Sequence, residues 1–171
     1  NGYCVAVQAV QKNTVYTPDK TYVPDDNFEQ ALIDLGYDDI LDDYVLTANI
    51  SNITGQLSLH QKNVSDLTGI EDFKSITNLF LTDNNLTSLD LSGIPQLEEL
   101  TALNNDIVSV DFSKNINLLS IQLGRNNNLS NVDLSNNLEL LSFGCGSCNI
   151  SSIDISKNTK LTSLGLGVLG Y

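Results

Sequence analysis

Residues 143–156 read FGCGSCNISSIDIS and place two of the chain's three cysteines, Cys145 and Cys148, in a C-x-x-C spacing. That spacing serves redox dithiols and makes up half of many zinc sites. Zinc takes about four ligands, and the matching positions of the neighbouring segments hold Leu123, Asn126, Leu166 and Leu169 instead. No metal is expected there. For redox chemistry the two sulfurs must meet. Three extended residues span roughly 10 Å, whereas a disulfide wants Cα atoms within about 7 Å. The spacing therefore predicts two core thiols and no Cys145–Cys148 bridge, with redox chemistry as the alternative. Cys4, in a separate segment, reads as a free thiol.

The remaining chemistry-bearing residues do not converge by motif. His60 is the single histidine, and no G-x-S-x-G elbow or phosphate-cradling glycine run is present. A nucleophile, a base and an orienting group are all needed for covalent catalysis, so no catalytic residue and no enzyme activity are predicted. Asp90, Asp111, Asp133 and Asp154 recur with Ser92, Ser113, Ser135 and Ser156 two residues on. On strands about 4.8 Å apart they would form an acidic column. Calcium bridging is one way to relieve it; solvation, or turn hydrogen bonds from Asp to backbone N–H, is the favoured one. Asp38, Asp39, Asp42 and Asp43 lack the spacing of a calcium loop and read as a solvated turn. No cofactor is implied.

The element that must position these groups is a repeat. ITNLFLTDNNL, LEELTALNNDI, LLSIQLGRNNNL, LLSFGCGSCNI and LTSLGLGVLG begin at residues 76, 97, 118, 140 and 161, and half-units such as LTSLDLS and IVSVDFS run between them. The pattern L-x-x-L-x-L-x-x-N-x-L is that of a leucine-rich repeat. It predicts an α/β solenoid, a right-handed coil of about 21 residues per turn. Each turn adds one short parallel strand to a concave sheet. Leucines point inward; Asn84, Asn105 and Asn126 or Asn127 sit inward too, where an amide satisfies backbone groups left unpaired by the bend. Cys148 replaces that asparagine, and Cys145 stands where Leu81, Ala102 and Leu123 stand elsewhere.

Three segments follow from this reading: an extended linker or leader over residues 1–21, a helical N-terminal cap over 22–52, and the repeats over 53–171. In the cap, DNFEQALIDLG places Phe28, Ala31, Leu32 and Leu35 on one helical face, with Asp26 and Glu29 as a capping box and Gly36 just past the end. The ending LGLGVLGY stays in repeat register, so a truncated chain or a last turn packed on another chain is expected.

The opening TYVPDDNFEQALIDLGYDD, followed by NVSDLTGIEDFKSITNLFLTDNNLTSLDLS, resembles the secreted leucine-rich-repeat proteins of Bacteroidetes bacteria, which are internalin-like in style. The resemblance covers residues 21–171. It implies an exported, cell-surface recognition or adhesion role without naming a ligand.

A net charge of −13 opposes nucleic acid and anionic lipid, and no window reaches eighteen consecutive apolar residues, so no direct membrane insertion is expected. Binding should fall on the outward columns of the concave sheet. The N-terminal half offers His60, Asn78, Phe80, Thr82, Asp83, Glu99, Thr101, Leu103, Asn104, Gln122 and Arg125. The C-terminal half is nearly bare, with glycines at 124, 144, 146, 165 and 167. Those glycines admit either a close ligand or backbone, or mere curvature, and curvature is favoured. The expected partner is a protein or glycan on a surface. The alternative is a non-binding stalk or assembly subunit of a larger surface protein; ice binding is disfavoured because regular threonine ranks are missing.

Overall fold

The computed structural model describes residues 18–167; Cys4 and most of the stretch read as a linker lie outside them. The described chain opens with β1 (Lys20–Tyr22), α1 (Asp26–Asp34), β2 (Tyr44–Leu46) and α2 (Thr47–Ile50). The coil follows with β3 (Gly55–Ser58), β4 (Ile76–Phe80), β5 (Ser88–Leu89), β6 (Glu99–Thr101) and β7 (Ser109–Val110). It continues through β8 (Ser120–Gln122), β9 (Ser142–Gly144) and β10 (Ser163–Gly165). β3, β4, β6, β8, β9 and β10 form one six-stranded sheet in that spatial order, all neighbours parallel. β5 and β7 pair in parallel as a second, two-stranded ladder.

Register follows the repeat. Leu79, Leu100, Ile121, Phe143 and Leu164 face one another across successive strands, and the first four are buried. Burying a leucine or phenylalanine side chain contributes about 1.5–3 kcal/mol, and the period-2 alternation assigns the intervening residues to the outer face. Asn84, Asn105 and Asn126 turn inward after the strands. Each amide donates to carbonyls of its own and the preceding rung: Asn126 Nδ2 to Ala102 O at 2.9 Å and Leu123 O at 2.6 Å. Each Oδ1 accepts a backbone N–H of the preceding rung, as Asn126 does from Ile107 at 3.0 Å. Asn126, and not Asn127, holds the position.

A second asparagine ladder runs through Asn115, Asn137 and Asn158 on the other side of the coil. Asn137 Nδ2 donates to Phe112 O at 3.3 Å and Asn115 O at 2.9 Å. The Oδ1 atoms of all three are buried without a protein partner. Between the ladders, each aspartate of the acidic column accepts the N–H of the serine two residues on: Ser92, Ser113, Ser135 and Ser156 at 3.0, 2.8, 2.8 and 2.8 Å. These turn bonds, with those from the serine hydroxyls, hold the four carboxyls below the ordinary aspartate range.

Two expectations are corrected. Cys145 and Cys148 form a disulfide with Cα atoms 5.6 Å apart. The intervening residues are not extended: β9 ends at Gly144, Ser147 takes a left-handed φ of 63°, and Cys148 N–H returns to Cys145 O at 3.2 Å. The turn shortens the span that extended geometry would make too long. Cys145 remains a core residue, 2% exposed. The helix cap is also displaced by one residue. Asp25, not Asp26, caps α1, accepting from Asn27 N and Phe28 N at 2.9 Å each. Glu29 makes no capping box; it is buried and its carboxylate accepts the N–H groups of Asp42, Asp43 and Tyr44.

At its other end α1 closes as expected, with Gly36 at φ 80° and Tyr37 N–H bonded to Leu32 O at 2.9 Å, a left-handed cap that glycine adopts without strain. The helix packs on the first turn of the coil through stacked Phe28 and Phe73, 6.2 Å between ring centroids. Part of the stretch read as a linker is built into the fold: Thr21 in β1 is buried, its hydroxyl 2.7 Å from Asp72 Oδ2.

Candidate ligand-binding face

Alternation in the strands aligns the predicted columns in register. Gln56, Asn78, Glu99, Ser120, Ser142 and Ser163 form one; Ser58, Phe80, Thr101, Gln122, Gly144 and Gly165 form the next. In the first column Asn78 Nδ2 donates to Glu99 Oε2 at 2.6 Å, so these two polar side chains hold each other across neighbouring strands. Phe80 is half-buried beside Thr101.

Beyond the strands five successive rungs turn through a non-glycine residue with positive φ: Gln61 at 55°, Asp83 at 58°, Asn104 at 54°, Arg125 at 62° and Ser147 at 63°. A left-handed L-residue costs roughly 1–2 kcal/mol, and Asn and Asp carry it most readily. The repeated turn thereby projects a polar rim along the sheet. Asp83 is its hub. Asn104 Nδ2 and Gln61 Nε2 donate to its carboxylate at 2.6 and 3.1 Å, and His60 Nε2 lies 3.9 Å away. The bonds from Asn104 and then Gln61, helped by the charges of His60 and Arg125, hold the Asp83 carboxyl below its ordinary value. His60 directs Nδ1 to the backbone carbonyl of Thr82, 3.0 Å away, and that contact involves no nucleophile.

Next to this rim lies an open groove of about 590 Å³. It gathers six of the predicted residues, Thr82, Asp83, Leu103, Asn104, Gln122 and Arg125, against Gly124, Gly144, Gly146, Gly165 and Gly167. His60, Asn78, Phe80, Glu99 and Thr101 lie outside it, towards the N-terminal strands. The glycines are the groove residues that the curvature reading passed over. At Gly146 a Cβ would stand 2.8 Å from Gly167 O, and at Gly124 3.1 Å from Gly146 O, so neighbouring backbones approach closely there. At Gly165 and Gly167 a Cβ would meet nothing nearer than 3.9 Å among the described residues.

A second hollow of about 580 Å³ lies against Asp66, Glu71 and Asp90. Their carboxylates already accept local N–H groups from Thr68, Gly69 and Ser92. Among the described residues no group of three or more His, Cys, Asp or Glu side chains is arranged to hold a metal ion, and no helix is long and apolar enough to cross a membrane.

No family model matches the chain. Internalin J of Listeria monocytogenes serotype 4b (strain F2365) is 34% identical over 71 residues, 42% of this chain but 8% of the relative's own length. Among solved structures, internalin C2 from Listeria monocytogenes strain 4b F2365 aligns with a TM-score of 0.61 at 20% identity, covering 85% of this chain and 75% of its own. Internalin F from the same strain aligns with a TM-score of 0.58 at 23% identity, covering 82% of this chain and 48% of its own. These likenesses establish the fold, a parallel-sheet leucine-rich-repeat solenoid of the kind internalins have.

Proposed function

We propose that the chain is a recognition module, displayed outside the cell, that binds a protein or glycan through the outer face of its six-stranded sheet. The observation that carries this reading is the groove beside the polar rim: successive rungs hold non-glycine residues in left-handed backbone while the adjoining floor is bare. Strained backbone concentrates where a surface presents groups to a ligand. A parallel sheet locked by two asparagine ladders is rigid, and rigidity reduces the ordering cost of association. The match to internalin J and the internalin folds supports recognition and display at a surface, as proposals carried from proteins of which this chain spans only part.

The experiment is capture from glycan arrays and from cell surfaces with wild type beside a Phe80→Ala, Leu103→Ala, Arg125→Ala triple variant. Capture by the wild type that the variant loses places binding on this face. Equal capture by both removes the face from the function, and no capture by either favours the stalk or assembly role.

A further inference from the structure

Arg125 is the sole arginine of a chain with net charge −13. Its side chain is exposed at the groove, and among the described residues it has no ion pair and no hydrogen bond. A guanidinium offers a planar fork of donors that matches a carboxylate in bidentate fashion. The rim's carboxylate two rungs back, Asp83, is already met by Asn104 and Gln61. The fork is therefore unmatched and faces the groove.

The floor selects what can carry the carboxylate. Leu123, Arg125 and Cys145 direct their N–H groups to the carbonyls of Gly144, Gly146 and Gly165, each at 2.7 Å. Those three floor carbonyls are thus engaged within the sheet; the floor shows a ligand the methylenes of Gly146 and Gly165, with the Gln122 carboxamide lying over Gly144 and Leu103 leaning over Gly124. An extended peptide laid on this face finds no free sheet edge there to pair with, so it gains none of the main-chain hydrogen bonds that strand addition supplies. A pyranose ring needs only apolar contact beneath its C–H face and polar partners at its edge, which Asn104, Gln122 and Arg125 supply. The acidic chain repels polyanions at long range, so one carboxylate among neutral sugars suits the groove better than a continuous polyuronate.

We propose that the glycine groove is a subsite for a single carboxylated sugar, a hexuronic acid within an otherwise neutral glycan. Arg125 grips its carboxylate while its ring lies on Gly146 and Gly165, beside the Gln122 carboxamide that covers Gly144. The assignment rests on the recognition reading above and narrows it to a ligand chemistry.

The test is amide chemical-shift titration of the full 171-residue chain with three probes: methyl β-glucuronide, methyl β-glucoside and N-acetylglutamate amide. The expected result is saturable shifts at Gly144, Gly146 and Arg125 with the glucuronide, Kd on the order of 1 mM, and at least about tenfold weaker binding of the glucoside. Arg125→Gln should reduce glucuronide affinity to that of the glucoside, and Arg125→Lys should restore part of it. Gly165→Ala, whose Cβ meets nothing nearer than 3.9 Å among the described residues, should keep the fold and weaken the shifts. Glutamate amide binding as well as the glucuronide would overturn the sugar assignment in favour of an acidic peptide. So would no saturation with the glucuronide. If surface capture is lost in the triple variant yet kept by Arg125→Gln, the recognition reading stands and this one falls.

Discussion

Ser65 donates both its backbone N–H and its hydroxyl to Oδ2 of Asp25, at 2.8 and 2.7 Å, while Oδ1 of the same carboxylate caps α1. One side chain therefore ties the helix to a coil segment forty residues on. Burial alone would raise this carboxyl's pKa, but the bonds from Ser65, Phe28 and Asp66 outweigh it and hold the value below normal. A depressed value means that the ionised form stabilises the fold. The contribution is fully present above the ordinary aspartate pKa and is lost as pH falls through the lowered folded value. Asp25→Asn should cost about 1–3 kcal/mol at neutral pH. In urea unfolding followed from neutral to acid pH, the gap between wild type and variant should close on the acid side. A gap independent of pH would show that the charge is not what matters.

The asparagine ladder predicts a larger loss. Asn105 Nδ2 donates to Leu81 O at 2.9 Å and Ala102 O at 3.4 Å, and its Oδ1 accepts Leu86 N–H at 3.0 Å. Alanine would orphan those buried backbone groups and leave a void. Each unsatisfied buried group costs about 1–3 kcal/mol, so Asn105→Ala should lose about 3–5 kcal/mol relative to wild type. Denaturant midpoints give the comparison, and a loss below that of Val108→Ala, a change at an exposed site, would remove the ladder from the stability argument.

Much of this fold was legible because a 21-residue period repeats one set of physical demands. Leucine spacing determined the inward column, and alternation determined which residues share the outer face. The features that escaped are local turns that the period does not encode. Reading Cys145–Cys148 as extended ignored the left-handed residue that recurs from rung to rung, at Asp83, Asn104 and Arg125 as well as Ser147. The pair Gly146–Ser147 is itself a turn signal. The capping residue was missed by one position because Asp25 and Asp26 adjoin and both satisfy the pattern. The second asparagine ladder escaped because Asn115, Asn137 and Asn158 sit among other polar residues, and only their burial sets them apart. For the groove, the sequence supplied the rim and the glycines, but not which glycines are free of packing constraints.

Those constraints differ sharply between two glycines. A methyl at Gly93 would stand 2.3 Å from Glu71 Cβ and 2.7 Å from its Cα, so backbone must move. A methyl at Gly144 would lie 2.0 Å from Gln122 Oε1, the far end of a flexible side chain. Gly93→Ala should therefore cost about 2–3 kcal/mol, whereas Gly144→Ala should stay within about 1 kcal/mol of wild type. In the second variant Gln122 should swing away and lose its contact with Ser142 Oγ, now 3.1 Å. Thermal unfolding of the pair, with side-chain amide spectra of Gln122, checks both. Equal destabilisation would contradict the backbone-versus-side-chain distinction.

The Cys145–Cys148 bridge closes a very short loop, which limits what it adds. Chain-entropy reasoning gives about 2 kcal/mol or less for so few residues. Cys148 sits where Asn126 stands one rung earlier, and its Sγ lies 3.4 Å from Leu123 O. In the disulfide that sulfur has no proton to give. Reduction supplies one, and a thiol donor to Leu123 O offsets part of the entropy lost. Reduced protein should remain folded, with a stability loss of about 1–2 kcal/mol rather than collapse of the rung. Alkylation of unfolded, unreduced protein followed by peptide mass analysis should leave both cysteines unmodified, and prior reduction should expose both. Modification of either without reduction would mean that the rung holds free thiols, as the extended reading of this segment implied.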